Sequence, residues 1–154
     1  MKKTVWVERT IAAPREQVFD TFTQHQTYAA LAIVSSSTLL QPGQGNASNG
    51  VGAIREIKTP AARFREKVTA CARPDYWDYH FIHWPLPLAH AGGRMSFTEV
   101  PGGTQVRWQT SYELPPTLAW KLASGAVDVF IIGLLQVLIR LLGQQALKRE
   151  PTAR

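Results

Sequence analysis

The last quarter of the sequence restricts the fold more than any other part. Residues 117–149 predict one long helix, which Thr117 caps directly after the Pro115-Pro116 stop. The stretch 126–142 within this helix is almost entirely apolar. Its polar residues recur at multiples of four positions, so they form a narrow stripe beside a wide apolar arc. They are Asp128, Gln136, Arg140, Gln144 and Lys148. Such a helix requires a large apolar surface to pack against.

A membrane-spanning helix is the alternative interpretation of the same segment. The length and hydropathy of the stretch suit a bilayer, but Asp128, Gln136 and Arg140 interrupt it. No flanking charge pattern indicates a topology. We therefore favour a helix that packs onto the rest of one domain.

The chain before this helix is dominated by strand patterns. Residues 4–11 alternate between two faces, and Pro14 then suits the first turn of a short helix. A second short helix is predicted at about 24–31. Six further segments have strand character: 33–40, 51–58, 63–71, 75–82, 93–100 and 104–114. Short turns between successive strands predict an antiparallel meander, and the whole predicts an α+β fold in which a curved sheet wraps round the last helix.

Composition and charge bound the function classes. A chain of 154 residues predicts a single domain covering 1–154. The 17 basic and 11 acidic residues give a net charge of +6, but the basic residues are scattered, so we expect no nucleic-acid partner. Cys71 is the single cysteine, which excludes an internal disulfide. No apolar leader follows the first residues, and we expect a cytoplasmic protein.

Several short motifs, in order, resemble one known superfamily. Ile11-Ala12-Ala13-Pro14 stands at the first strand–helix junction, residues 50–57 read GVGAIREI, and residues 103–108 read GTQVRW. With the closing helix, the chain resembles the START-like, Bet v 1-like superfamily, also called SRPBCC or polyketide cyclase/dehydrase-like proteins. The resemblance implies a helix-grip fold, with a seven-stranded sheet, two short helices after the first strand, and an apolar cavity between sheet and C-terminal helix. Members of the superfamily bind lipids, sterols, hormones or polyketides.

Alternation along the strands predicts which side chains face this cavity. In each strand one face carries aromatic and apolar residues, several of which have a polar tip. Together with one buried charge pair, this face gives the candidate ligand-binding residues. They are Arg55, Phe64, Glu66, Trp77, Tyr79, Phe81, Met95, Phe97, Trp108 and Tyr112.

Arg55 and Glu66 are the most informative individual residues. Each shares its strand face with apolar residues, and an inward arginine and glutamate need each other because an unpaired buried charge is very costly. In one interpretation Arg55 anchors a ligand carboxylate or enolate, with Glu66 as its partner or as a base. In the other, the pair only stabilises the fold.

We expect neither a metal nor a cofactor. His80 and His83 are three positions apart, which places them on opposite faces of a strand. His90 follows, but no carboxylate cluster completes a metal site with these histidines. The glycines around Gly43 and Gly45 do not form a dinucleotide-binding motif.

Two functions of different classes fit these observations. The favoured one is non-catalytic binding or transport of a hydrophobic small molecule, such as a lipid, a polyketide-like compound or an aromatic compound. The alternative is a cyclase or dehydratase in which Arg55 stabilises an enolate and Glu66, Tyr79 or Tyr112 moves protons.

A peripheral membrane contact is a third possibility. It would use the helix at 126–142 or the apolar segment 84–88, which also suits a cavity lid. For the protein itself we expect a monomer or a homodimer.

Overall fold

The computed structural model describes residues 1–149, which form one antiparallel sheet and three helices. The strands are β1 (Lys2–Ile11), β2 (Ser36–Gln41), β3 (Ile54–Lys58), β4 (Arg63–Ala72), β5 (Tyr76–His83), β6 (Ala89–Val100) and β7 (Gly103–Glu113). The helices are α1 (Arg15–Thr23), α2 (His25–Ala29) and α3 (Leu118–Lys148). The strand order is β1-β7-β6-β5-β4-β3-β2, and α3 packs against the sheet. This architecture confirms the predicted seven-stranded α+β helix-grip fold.

Some strand boundaries differ from the prediction, and glycines explain two of them. β6 begins at Ala89 instead of 93, because its register shifts between His90 and Gly92, which adopts a φ of 112°. Such a bulge keeps the chain paired with β7 through the two glycines. β3 begins at Ile54 instead of 51, because Gly52, with a φ of 87°, turns the chain before the strand.

One end of the sheet is closed by helices. At this closed end, next to the β6–β7 turn, α1 packs between β6 and the C-terminal half of α3. The Gln17 side-chain amide donates hydrogen bonds of 2.7 Å to the Ala146 and Arg149 carbonyl oxygens. Phe97 meets Phe19 and Phe22 edge-on, with ring centroids 5.1 and 5.9 Å apart. The apolar core is therefore densely filled here.

The opposite end of the sheet carries loops instead of helices. Antiparallel pairing brings four features to this open end: the start of β1, the end of β7, the β3–β4 hairpin at 59–62 and the segment 84–88. α3 begins here, where the Thr117 hydroxyl oxygen accepts a hydrogen bond from the Trp120 amide, as the capping prediction required. The helix then runs 31 residues toward the closed end.

Candidate functional site

A pocket of about 270 Å³ lies between the open half of the sheet and α3. This volume is slightly below the range of about 300–1,000 Å³ that is typical of small-molecule sites. Strands β3, β4, β5 and β7 supply one wall, and α3 supplies the other. Most of the lining is apolar, and Glu66, Tyr79 and Thr110 are among its few polar side chains.

Five of the ten predicted ligand-binding residues line this pocket. They are Phe64, Glu66, Tyr79, Phe81 and Trp108. Trp77, Met95 and Phe97 face the same side of the sheet but lie nearer the closed end, where they belong to the filled core. Arg55 and Tyr112 are also fully buried outside the lining. The alternation pattern specifies the face of a strand, but not the position along it at which the pocket opens.

The pocket also uses residues that the predicted set did not contain. α3 contributes Phe130, Ile131, Leu134, Leu135 and Leu138, and the loops contribute Ile33, Val34, Trp84, Pro85 and Leu86. The apolar composition of 84–88 was a usable signal, and the segment does lie at the pocket mouth. α3 gave no such signal, because a helix that is apolar nearly all round does not reveal which side faces a cavity.

Arg55 fixes the position of Glu66. The Nε atom of Arg55 donates a 2.8 Å hydrogen bond to Oε1 of Glu66, Nη2 donates to the same oxygen, and Nη1 donates to the Thr23 carbonyl oxygen. The guanidinium carbon lies 4.6 Å from the Trp77 ring centroid, so the cation is also stacked. Both of these bonds to Glu66 end on Oε1, and Oε2 takes part in no hydrogen bond within residues 1–149. Arg55 itself lies outside the pocket lining and is linked to it through Glu66.

The Tyr79 hydroxyl is held by the Trp108 side chain. The Trp108 indole N–H donates a 2.9 Å hydrogen bond to the phenol oxygen. Burial raises the pKa of Tyr79, although Trp108 and Thr110 both act to lower it, so the phenol keeps its proton at neutral pH. Because Trp108 donates to this oxygen, the phenol keeps its own O–H available to donate to a bound molecule.

His90 lies outside the pocket lining and holds the Thr110 side chain. The backbone N–H of Phe81 donates a 3.0 Å hydrogen bond to Nδ1 of His90, so the proton of the neutral ring is on Nε2, which lies 2.8 Å from the Thr110 hydroxyl oxygen. Burial, and secondarily the neighbouring His80, lowers the pKa of His90 from 6.5 to about 4. No cluster of three potential metal ligands occurs in the part of the chain that the structure describes.

Tyr112 has a different environment from Tyr79. Its hydroxyl donates to Asp128 of α3, and the second oxygen of that carboxylate pairs with Lys3 of β1. Burial and the Asp128 contact raise the pKa of Tyr112. These contacts fasten the N-terminal half of α3 to β1 and β7, so Tyr112 holds the helix at a distance from the sheet.

Glu66 and Tyr79 are therefore the polar groups best placed to recognise a ligand. They lie on neighbouring strands, where Glu66 pairs with Phe81 and Tyr79 pairs with Val68, so they are diagonal neighbours on the inner face. The pocket presents an anionic acceptor and a neutral donor to a guest that is otherwise surrounded by hydrocarbon. A helix-grip fold with such a pocket defines a START-like protein that accommodates a small hydrophobic molecule.

The sequence comparison agrees with this class. Residues 2–141 match the family described as polyketide cyclase/dehydrase and lipid transport, and the chain belongs to that family. No curated protein matches the sequence.

Solved structures with the same fold have diverged far in sequence. The Zhui aromatase/cyclase from Streptomyces sp. R1128 superposes with a TM-score of 0.77 at 14% identity, covering 99% of this chain and 98% of that one. Ara h 8.0201 gives a TM-score of 0.73 at 14% identity, over 97% and 100% of the two chains. Norcoclaurine synthase from Thalictrum flavum, solved with dopamine and hydroxybenzaldehyde, gives 0.73 at 11% identity, over 99% and 90%. At such identities the likeness establishes the START/Bet v 1-like fold.

The buried ion pair generates a first prediction. Arg55→Met leaves the Glu66 carboxylate buried without a partner, and we expect a loss of about 3–5 kcal/mol in the free energy of unfolding. The double variant Arg55→Met/Glu66→Met removes the charge and should recover about 2 kcal/mol or more of that loss. Urea denaturation of the wild type, of Arg55→Met, of Glu66→Met and of the double variant measures the coupling. Simple additivity of the two single losses would contradict the assigned pairing.

The lowered pKa of His90 generates a second prediction. Above pH 6.5 the His90 ring is neutral in both the folded and the unfolded protein. As the pH falls toward 4, the ring becomes protonated in the unfolded chain but stays neutral in the folded protein. Between these values we expect the free energy of unfolding to fall by about 2 kcal/mol on account of His90. His90→Gln removes this contribution. Urea midpoints measured across the range should therefore fall less steeply in the variant, and parallel curves would show that His90 titrates normally.

Proposed function

We propose that the protein binds a small, mostly apolar molecule in the pocket between its sheet and α3. The observation that carries the proposal is the combination of a hydrocarbon lining with two held polar groups, Glu66 and Tyr79. A merely unfilled core would have no reason to keep a carboxylate and a phenol at its wall, because both are costly to bury. We also expect the protein to be cytoplasmic.

The two polar groups indicate the chemistry of the ligand. The Glu66 carboxylate accepts hydrogen bonds, so it favours a hydroxyl, enol or amine group on the guest. The Tyr79 hydroxyl donates one, so it favours an oxygen such as a carbonyl or the same hydroxyl. The remaining surface offers Phe64, Phe81 and Trp108, against which a flat ring packs well. We infer a ligand of about two fused rings, or a folded chain of that size, with one or two oxygens at one end.

The second candidate is catalysis of ring closure in a poly-keto substrate. It is favoured by the acid and base lying diagonally across β4 and β5. Glu66 takes a proton from the carbon beside one carbonyl while Tyr79 hydrogen-bonds the oxygen that becomes the enolate. The enolate carbon then bonds to a second carbonyl carbon, whose oxygen takes up a proton, and loss of water follows. Arg55 and Tyr112, the other candidates from the sequence, lie outside the pocket lining, so Arg55 contributes by positioning Glu66.

Binding of 2-naphthol and of 2-methylnaphthalene tests the proposal, because the two probes share a shape but only one has a hydroxyl. We expect the wild-type protein to prefer 2-naphthol, since its hydroxyl donates to Glu66 and accepts from Tyr79. Glu66→Gln should reduce this preference about tenfold, and Tyr79→Phe about fivefold, when affinities are measured by titration calorimetry.

Two controls make the test decisive. Leu134→Trp places an indole in the pocket and should abolish the binding of both probes, whereas Leu147→Gln, at an exposed position far along α3, should leave both affinities unchanged. Equal affinities of the wild-type protein for the two probes, or full binding by Leu134→Trp, would reject the proposed site. Conversion of heptane-2,6-dione to 3-methylcyclohex-2-enone, followed by the enone absorbance, separates an enzyme from a carrier.

A further inference from the structure

The N-terminal half of α3 exposes a continuous apolar surface to solvent. Leu122 is 79% exposed and Val129 is 72% exposed, and Leu118, Phe130 and Val137 are exposed beside them. We call these five residues the outer apolar face. Within 118–137 the only charged residues are Lys121 and Asp128, and Asp128 is already paired. α3 is long and apolar enough to span a bilayer, yet only 17% of its most apolar 18-residue stretch is buried in the protein.

The outer apolar face continues onto the segment 84–88 and the pocket mouth. A groove of about 240 Å³ lies between this segment and α3. Phe130 and Leu86 line both this groove and the ligand pocket, so no polar barrier separates the two. Ile33, 39% exposed, extends the apolar rim on the other side of the mouth. An exposed apolar surface of this extent on a folded domain indicates an interaction site.

The charges around this surface are predominantly positive. The exposed basic residues at the open end are Lys2, Lys58, Arg63 and Lys121. Glu113 is the exposed acidic residue among the strand ends, the 59–62 hairpin and the first turns of α3. The other carboxylates nearby are occupied, since Glu56 pairs with Arg65 and Lys58, and Asp128 pairs with Lys3. An apolar stripe with a basic border is typical of a surface that rests on anionic lipid.

We propose that the outer apolar face and the segment 84–88 dock onto an anionic lipid bilayer, with the pocket mouth against the hydrocarbon. Docking covers the apolar surface and sets the basic border among the lipid headgroups. It also lets an apolar ligand pass between bilayer and pocket without crossing water. A second copy of the chain is a poorer occupant, because a two-fold contact through this face brings the same basic residues toward each other. The proposal goes beyond the proposed function, because docking requires no particular ligand.

Vesicle sedimentation tests the docking surface directly. We expect the wild-type protein to bind vesicles of phosphatidylcholine with one-quarter phosphatidylserine, and to bind pure phosphatidylcholine much more weakly. Leu122→Gln/Val129→Gln should weaken binding by about tenfold or more, because two apolar side chains no longer leave water. Leu147→Gln is the matched control on the same helix, outside the face, and should bind as the wild type does. Arg63→Glu/Lys121→Glu should weaken binding to the anionic vesicles selectively.

Three results would overturn the proposal. The first is failure of the wild-type protein to bind anionic vesicles at low salt. The second is unchanged vesicle binding by Leu122→Gln/Val129→Gln. The third is a wild-type protein that binds no vesicles and is a dimer, whereas Leu122→Gln/Val129→Gln is a monomer. The last result would assign the face to self-association. Neither Leu122 nor Val129 lines the ligand pocket, so Leu122→Gln/Val129→Gln should bind 2-naphthol as the wild type does. This titration therefore separates loss of the docking surface from loss of the pocket.

Discussion

The spacing between α3 and the curved sheet determines most of what this molecule can do. At the closed end the helix is drawn onto the sheet by Gln17, by the aromatic cluster around Phe97 and by its own buried residues Ile139 and Leu142. Toward the open end, Asp128 of α3 contacts Tyr112 and Lys3. The Tyr112 side chain therefore stands between α3 and the backbone of β7 and separates the two. Between the two attachments the sheet curves away, and the side chains of α3 do not fill the gap.

The polar groups of the pocket are arranged in two layers. Glu66 and Tyr79 lie in the pocket lining, and further residues outside the lining support this first layer. Arg55 donates two hydrogen bonds to Glu66, and a third, to the Thr23 carbonyl oxygen, secures the arginine to the end of α1. His90 holds Thr110, which lines the pocket together with Tyr79. Gly93 belongs to this outer layer too, because a Cβ atom there would overlap the Tyr79 ring. Positions that look structural thus decide the chemistry of the site.

The sequence was sufficient for the architecture because period-two and helical patterns report directly on strands and helices. It also identified the buried Arg55–Glu66 pair, since two inward charges on adjacent strands have few stable alternatives. It did not separate Phe81, which lines the pocket, from Phe97, which fills the core, because both obey the same alternation. The place of Leu134 and Leu138 in the lining was equally hidden, since the phase of a uniformly apolar helix is set by tertiary contacts. The Gly92 bulge shifted β6 for a related reason: whether a glycine bends a strand or ends it depends on its partner strand.

The central claim is that the space beside Phe81, Trp108 and Leu135 is hollow and accessible to an apolar guest. A crystal of the protein held under xenon pressure tests this claim most directly, because xenon enters apolar cavities without needing specific contacts. We expect xenon density between these three side chains, with their positions unchanged from the gas-free crystal. Side chains of α3 interleaved with those of β5 and β7, with no xenon between them, would contradict it.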